Sequence, residues 1–244
     1  MYDFELAKAL IANLDLTSLN KNDTETSVAE LCHKAVSPCG NVAAVCVYPK
    51  FVPLVQKLLE ESDIKIATVV NFPLGGADAT AVVEEVKKSV AYGADEIDAV
   101  FPYHSFLQGN LKVCHDFLKA VTKAAGKKTL KIILESGSFP SVRVLQDACR
   151  LCLEYNINFL KTSTGKTEVS ATIEAANAIL ETIHDAPRNV GFKASGGIKT
   201  FEQARKYYIL AQEIMGEDWP SAEHFRIGAS SLLGDLLRVN QEGY

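Results

Sequence analysis

The sequence lacks the features that usually mark exported and membrane-bound chains. No run of apolar residues is long enough to cross a bilayer. Residues 1–5, MYDFE, are acidic where a secretory signal needs basic side chains. We therefore expect a soluble protein that works in the cytoplasm, without a membrane partner.

Basic clusters with interleaved aromatic residues are also missing, so nucleic acid is not an expected partner. The net charge is −5 at pH 7, which does not attract a phosphate backbone or anionic lipid. The chain has no linker rich in proline or serine, no low-complexity tract and no block of like charges. With 244 residues, 48% of them hydrophobic, we expect a single domain over residues 1–244.

The six cysteines do not suggest a disulfide framework, because a chain of this size needs no disulfides. Cys149 and Cys152 do have the spacing of a redox or metal-binding pair. They lie inside an apparently helical stretch, 142–155, whereas a thioredoxin-like pair needs its first thiol at a helix N-terminus. No second pair follows at zinc-finger spacing. We interpret both thiols as helix core, and predict neither a metal nor a cofactor.

What the sequence does contain is a regular alternation of apolar strands and amphipathic helices. Eight stretches have the continuous hydrophobicity of parallel strands covered on both faces: 14–17, 42–47, 64–70, 96–101, 130–134, 158–161, 190–193 and 225–228. The clearest helical patterns lie at 3–13, 51–59, 79–92, 111–125, 142–155, 169–184 and 201–214.

About one βα unit per 30 residues predicts a closed (β/α)8 TIM barrel. The helix at 3–13 precedes the first strand and is suited to cover the bottom of the barrel. An open doubly wound sheet is the alternative. Against that alternative, no glycine-rich dinucleotide fingerprint follows the first strand.

In a barrel, the active site lies at the rim formed by the C-terminal ends of the strands. The strand assignments bring five ionisable residues to this rim: Asp15, Asp98, Glu135, Lys161 and Lys193. A lysine at the end of a buried strand favours the neutral amine, which attacks carbonyls. Two lysines about 5 Å apart, at an effective dielectric of about 20, repel by roughly 3 kcal/mol, or about two pKa units. Residue chemistry alone does not choose between Lys161 and Lys193 as the nucleophile.

Each of these residues also has a plainer interpretation. A single lysine at a strand end often just extends into water. Asp98 either relays protons through a bound water or forms a buried ion pair with Lys193 that only fixes geometry. The presence of two lysines and a carboxylate on one rim favours the catalytic interpretation.

Three loops of small residues follow the last three predicted strands. They are Thr164-Gly165-Lys166, Gly196-Gly197-Ile198-Lys199 and Gly228-Ala229-Ser230-Ser231. Barrels commonly bind phosphate after strands seven and eight, at the N-terminus of a short helix, and 230–233 can start such a helix. Taken singly, each loop is an ordinary turn; together they predict a phosphate site. The predicted substrate-binding residues are Asp15, Thr164, Gly165, Lys166, Gly196, Gly197, Lys199, Gly228, Ser230 and Ser231.

Four stretches together carry a resemblance to a known family: DAVFPY at 98–103, FLKTSTGK at 159–166, GFKASGG at 191–197 and RIGASS at 226–231. They resemble the 2-deoxyribose-5-phosphate aldolases, and the resemblance extends from LDLT at 14–17 to the tail. It implies a metal-free class I aldolase without a cofactor. Such an enzyme reversibly cleaves 2-deoxy-D-ribose 5-phosphate to D-glyceraldehyde 3-phosphate and acetaldehyde, in deoxyribonucleoside catabolism.

The resemblance also implies residue roles: Lys161 forms the Schiff base, Lys193 lowers its pKa, Asp98 relays protons and the glycine and serine loops hold the phosphate. Family members often have arginine where this chain has Lys199, so a forked phosphate contact becomes a point charge. The family tail often ends in tyrosine, as here at Tyr244. We hypothesise that Tyr244 folds over the rim to assist proton transfer; a frayed terminus is the alternative.

Two other functions remain open at this point. One is a transaldolase-like Schiff-base enzyme that acts on a different sugar phosphate, and the other is a sugar-phosphate sensor without catalysis. The expected partners are a small sugar phosphate and an aldehyde, and a homodimer is compatible with the sequence. Cys46, in the second predicted strand, is a candidate to face the site and react with unsaturated aldehydes.

Overall fold

The computed structural model describes residues 2–242, and within them eight parallel strands close into a barrel. The strands are β1 (Leu14–Ser18), β2 (Ala44–Val47), β3 (Lys65–Val70), β4 (Glu96–Val100), β5 (Thr129–Ile133), β6 (Phe159–Lys161), β7 (Gly191–Ser195) and β8 (Phe225–Ala229). Each strand pairs in parallel with the next, and β8 closes the barrel on β1. The predicted (β/α)8 barrel is confirmed.

Helices surround the barrel. They are α1 (Asp3–Ala12), α2 (Glu25–Ala35), α3 (Val52–Leu58), α4 (Ala79–Ala91), α5 (Tyr103–Leu107), α6 (Leu111–Ala125), α7 (Val142–Leu153), α8 (Ile173–His184), α9 (Phe201–Met215) and α10 (Leu232–Glu242). Helix α1 packs against α10 and α9. Between residues 2 and 242, no helix has both the length and the apolar character needed to cross a membrane.

The start of α8 differs from the sequence prediction. The pattern predicts a helix from residue 169, but α8 begins at Ile173, after Thr172. The Thr172 side chain accepts a hydrogen bond from the backbone N–H of Ala175 at 3.1 Å, which satisfies an otherwise unpaired donor of the first turn. Residues 162–172 form a long loop on the rim instead.

The inside of the barrel is divided into an apolar part and a charged part. Small and apolar side chains of β2 and β3 form a buried cluster with Leu19, which follows β1; the strand residues are Ala44, Cys46, Ala67 and Val69. The pairing register aligns Val69 with Asp98 on β4, so the apolar side chains and the carboxylate lie on the same face. Charged groups therefore face an apolar wall that excludes water.

Candidate active site

Two lysines share one carboxylate oxygen inside the barrel. Lys161 is the last residue of β6, and the pairing register puts it beside Lys193 on β7. The Nζ atoms of Lys161 and Lys193 each lie 2.7 Å from Asp98 Oδ2. Lys161 is 4% exposed, and the other two residues are fully buried. The structure thus brings together the three residues for which the sequence predicted chemistry.

The two lysines differ in their other partners. Lys193 also donates a hydrogen bond to Asp15 on β1, whereas Asp98 is the carboxylate that pairs with Lys161. Burial lowers the pKa of Lys161, Asp98 opposes this effect, and the charge of Lys193 adds to it, so the pKa lies below its ordinary value. Burial also disfavours the Lys193 ammonium, but Asp15 and Asp98 outweigh it and raise the pKa of Lys193 well above the usual range.

These directions distinguish the two lysines, which residue chemistry alone did not. Lys161 loses its proton first and Lys193 stays an ammonium at neutral pH. The repulsion estimated from sequence does act on Lys161, but burial makes the largest contribution to its lowered pKa. The apolar surroundings and the second lysine therefore lower the pKa of Lys161 together.

A second set of charged residues lies behind these three, and sequence reasoning missed it. Lys131 on β5 donates to Asp98 Oδ1 at 2.9 Å and to Glu96 Oε2 at 2.5 Å. Arg226 on β8 donates to Asp15 Oδ1 at 2.6 Å and to Glu96 Oε1 at 2.9 Å. All of these side chains are at least nine-tenths buried. The spacing of Glu96 and Asp98, two residues apart on one strand face, was the available signal.

The cations hold both aspartates ionised. Burial alone raises the pKa of Asp98, but Lys131, Lys161 and Lys193 outweigh it, and the pKa falls well below the usual range. The pKa of Asp15 is likewise low, because Lys193, Arg226 and Lys131 outweigh its burial.

The charges of the network also favour a neutral amine. With every group ionised, three carboxylates face four basic side chains, which leaves one positive charge in excess. Loss of the Lys161 proton makes the buried network electrically neutral. Since uncompensated buried charge is costly, the net charge acts in the same direction as burial.

The loop that follows β6 is fixed by Glu135 rather than left free. Glu135 is fully buried and has a left-handed backbone, with φ of 59°. Its carboxylate accepts hydrogen bonds from Thr164 Oγ1 at 2.5 Å, from the Thr164 backbone N–H at 3.3 Å and from Thr167 Oγ1 at 3.1 Å. Thr164 was predicted to bind the substrate, but its hydroxyl donates to Glu135 and so holds the loop in place.

The loops after β6 and β7 touch each other at glycines. A Cβ built on Gly196 would lie 3.2 Å from the Cα of Gly165, and both residues have positive φ. Gly197 also has positive φ and faces open space. Lys166, further along the first loop, donates from Nζ to the carbonyl of Leu19 at 2.7 Å, across the mouth of the barrel. Larger side chains would separate the two loops.

The other predicted phosphate ligands occupy two different positions. Ser230 and Ser231 are exposed just before α10, and Lys199 is exposed just before α9. Gly228 and Asp15 lie inside the barrel instead. A Cβ on Gly228 would be 3.0 Å from Lys193 Cε, so this glycine makes room for the lysine. The structure thus gives Asp15 and Gly228 direct contact with Lys193 rather than a position on the rim loops.

The cysteines take structural positions. Cys149 and Cys152 are free and fully buried in α7, which confirms their interpretation as helix core. Cys46 is fully buried near the lysines, and burial raises the pKa of its thiol to about 11. Within residues 2–242, no cluster of three or more His, Cys, Asp or Glu side chains could hold a metal ion. Tyr244 lies outside the described residues.

Comparisons with known proteins show the family and support the fold. The model of the DeoC/LacD family of aldolases matches residues 9–234. A candidate deoxyribose-phosphate aldolase from Coccidioides immitis is 28% identical, with a TM-score of 0.84 over 98% of this chain and 87% of that one. A candidate deoxyribose-phosphate aldolase from Toxoplasma gondii ME49 shares the fold at 23% identity, with a TM-score of 0.90 over 99% and 96% of the two chains. The deoxyribose phosphate aldolase from Aeropyrum pernix, whose tetrameric structure is described as unique, also shares the fold. It is 22% identical, with a TM-score of 0.80 over 99% of this chain and 98% of that one.

Proposed function

We propose that this chain, which belongs to the DeoC/LacD family of aldolases, is a class I aldolase in which Lys161 forms the Schiff base. The substrate is 2-deoxy-D-ribose 5-phosphate, which is cleaved reversibly to D-glyceraldehyde 3-phosphate and acetaldehyde. This reaction would place the enzyme in the cytoplasmic breakdown of deoxyribonucleosides. The observation that carries the proposal is that Lys193 is held by two carboxylates whereas Lys161 pairs with one.

The unequal pairing suits the first half of the reaction. The neutral Lys161 amine attacks the aldehyde carbon C1 of the open-chain sugar and forms a carbinolamine. Its hydroxyl leaves as water after taking up a proton. The Lys193 ammonium is the nearest acid for that proton, and the ionised Asp98 carboxylate, which accepts hydrogen bonds from both lysines, relays it between them. The product is a protonated iminium on Lys161.

The iminium then accepts the electrons of the breaking bond. A base removes the proton from the C3 hydroxyl, the C2–C3 bond breaks, and its electron pair moves towards the iminium to give an enamine. D-Glyceraldehyde 3-phosphate leaves at this stage. Protonation of the enamine at its terminal carbon and hydrolysis then release acetaldehyde and regenerate the Lys161 amine.

The rim loops provide a place for the phosphate. Gly197 faces open space, and Ser230 and Ser231 are exposed at the start of α10, where backbone N–H groups favour an anion. Lys166 and Lys199 add positive charge on the same rim. Asp15 and Gly228 take a supporting role in this proposal, because both contact Lys193 inside the barrel.

Trapping the Schiff base tests the function. We expect that borohydride with acetaldehyde leaves one ethyl group on Lys161, and that Lys161→Met abolishes the adduct and the cleavage of deoxyribose 5-phosphate. Mass spectrometry of the peptides locates the ethyl group. Lys128→Met is the matched control, because Lys128 is a lysine partly exposed outside the barrel network. An adduct on Lys193 would reverse the two roles.

Substrate comparison tests the finer assignment. Faster cleavage of longer ketose phosphates than of deoxyribose 5-phosphate would assign the same Schiff-base chemistry to another sugar. Binding of deoxyribose 5-phosphate without turnover would indicate a sensor. Loss of activity on addition of a chelator would contradict a metal-free reaction.

A further inference from the structure

Lys131 is a third buried lysine beside the reacting groups, and the proposed reaction gives it no step. It is fully buried and paired with carboxylates on β4, at 2.9 Å from Asp98 Oδ1 and 2.5 Å from Glu96 Oε2. A lysine that only filled space would be an expensive choice, because a buried ammonium must be compensated by charge and hydrogen bonds. Its position therefore calls for a functional explanation.

The two oxygens of Asp98 have separate partners. Oδ1 accepts from Lys131, whereas Oδ2 accepts from Lys161 and Lys193. The carboxylate cannot turn towards Lys161 without breaking its contact with Lys131. Lys131 thus limits how much of the negative charge of Asp98 is available to Lys161.

Glu96 fixes Lys131 from the other side. Its carboxylate also receives Arg226, through Nη2 to Oε1 at 2.9 Å and Nη1 to Oε2 at 3.2 Å. Such forked contacts hold a carboxylate in one orientation. Glu96 also compensates part of the Lys131 charge, so the two residues act on Asp98 with opposite signs.

We propose that Lys131, held by Glu96, is a positioning residue that sets the proton occupancy of Lys161 by acting through Asp98. The inference rests on the proposed function only in taking Lys161 as the reacting amine. Without Lys131, Asp98 would attract the Lys161 ammonium more strongly and keep the amine protonated. Without Glu96, Lys131 would draw more of the Asp98 charge, and Lys161 would lose its proton more easily.

The ionisable groups around Lys161 come from six strands. They are Asp15 on β1, Cys46 on β2, Glu96 and Asp98 on β4, Lys131 on β5, Lys193 on β7 and Arg226 on β8, beside Lys161 itself on β6. The Cys46 thiol stays neutral, since burial raises its pKa to about 11. Removal of the Lys131 charge therefore changes the balance among groups that otherwise keep their charge states.

The test measures the pKa of Lys161 directly, without relying on turnover. Acetic anhydride labels neutral amines, so the rate of Lys161 acetylation across pH, followed by mass spectrometry, reports its protonation. Lys131→Met should raise the pKa of Lys161 by about one unit, which slows labelling at neutral pH about tenfold. Glu96→Gln should shift the pKa in the opposite direction. Lys128→Met, three residues before Lys131, removes one charge without touching the network and should shift nothing.

The double variant Lys131→Met/Glu96→Gln removes one charge of each sign, and the pKa of Lys161 should return towards that of the unmodified chain. This variant also leaves no buried Glu96 carboxylate that has lost its lysine partner, so it remains informative if Lys131→Met alone does not fold. A purely structural Lys131 predicts reduced thermal stability with an unchanged Lys161 pKa, and that result overturns the inference. Equal shifts of the same sign in both single variants overturn it too. Assays of the unmodified chain with deoxyribose 5-phosphate report separately on the proposed function.

Discussion

Lys161 and Lys193 are neighbours in the barrel register, yet their pKa values shift in opposite directions. The difference comes from one additional carboxylate, Asp15. Asp15 pairs with Lys193 and leaves Lys161 with Asp98. The strand-end lysines and Asp98 could be found from the sequence, since each lies in a local motif. Arg226 begins such a motif too, but its contact with Asp15, like that of Lys131 with Asp98, forms only in the closed barrel and could not be found from the sequence.

Replacement of Lys193 should reduce activity by changing Lys161 rather than by removing the nucleophile. In Lys193→Met, Asp98 Oδ2 is left to Lys161 alone, so the pKa of Lys161 rises and its neutral form becomes scarce at pH 7. We expect cleavage to fall by about a hundredfold or more at pH 7. Borohydride trapping on Lys161 should recover as the pH is raised.

The pH dependence separates this effect from a general loss of structure. A folding defect would lower the trapping yield at every pH, without recovery on the alkaline side. Lys193→Arg keeps a cation between Asp15 and Asp98 and should retain more activity at pH 7 than Lys193→Met. Equal activity of the two variants would contradict the electrostatic role of Lys193.

The strands were predictable because their two faces are both buried, which gives each one a short continuous apolar run. Helix boundaries were less accessible, as α8 illustrates. Val169 fits a helical apolar pattern, but the contacts of Thr167 with Glu135 and of Thr172 with the first turn favour a loop up to residue 172. The contact of Thr167 with Glu135 joins this loop to the segment that follows β5, so the local pattern could not reveal it.

Gly228 on β8 leaves the space that the Lys193 side chain occupies, because glycine has no side chain. A Cβ on Gly228 would come within 3.0 Å of Lys193 Cε and 2.9 Å of Ser195 Cβ, both on β7. Gly228→Ala should therefore displace Lys193 from Asp98 and lower the free energy of unfolding by about 1–3 kcal/mol. Activity should fall with it.

Gly234→Ala is the matched control, because a Cβ at that position of α10 meets no atom within 4 Å. Alanine in place of glycine inside a helix raises stability by up to about 1 kcal/mol, and activity should stay unchanged. Urea unfolding and cleavage assays measure both properties. Normal activity in Gly228→Ala would show that Lys193 tolerates displacement.

The buried network joins the two halves of the barrel, since its residues come from β1, β4, β5, β6, β7 and β8. Such a connection contributes to folding as well as to chemistry. Neither its extent nor the number of subunits follows from the sequence, because both depend on contacts between distant parts of the chain or between chains. The pH dependence of the free energy of unfolding measures how much the buried network contributes to folding.

The whole molecule should lose stability in acid through Asp15 and Asp98. Their pKa values in the folded protein lie below the ordinary value of 3.8, so their contribution is present above the unfolded pKa and is lost as the pH falls towards the folded values. In that range each carboxylate should reduce the free energy of unfolding by about 1.4 kcal/mol per pH unit. Urea unfolding from pH 6 down to about pH 2 measures the slope, which should steepen below the unfolded pKa.

A variant pair identifies the source of that slope. Asp15→Asn removes one of the two groups and should make the acid dependence shallower, whereas Asp147→Asn removes an exposed carboxylate paired with Arg150 and should leave it nearly unchanged. Since Asp15→Asn also leaves Lys193 and Arg226 with one partner fewer, its stability at pH 6 should be lower than that of the unmodified chain. An acid dependence that stays as steep in Asp15→Asn would contradict a contribution of Asp15 to the loss of stability in acid.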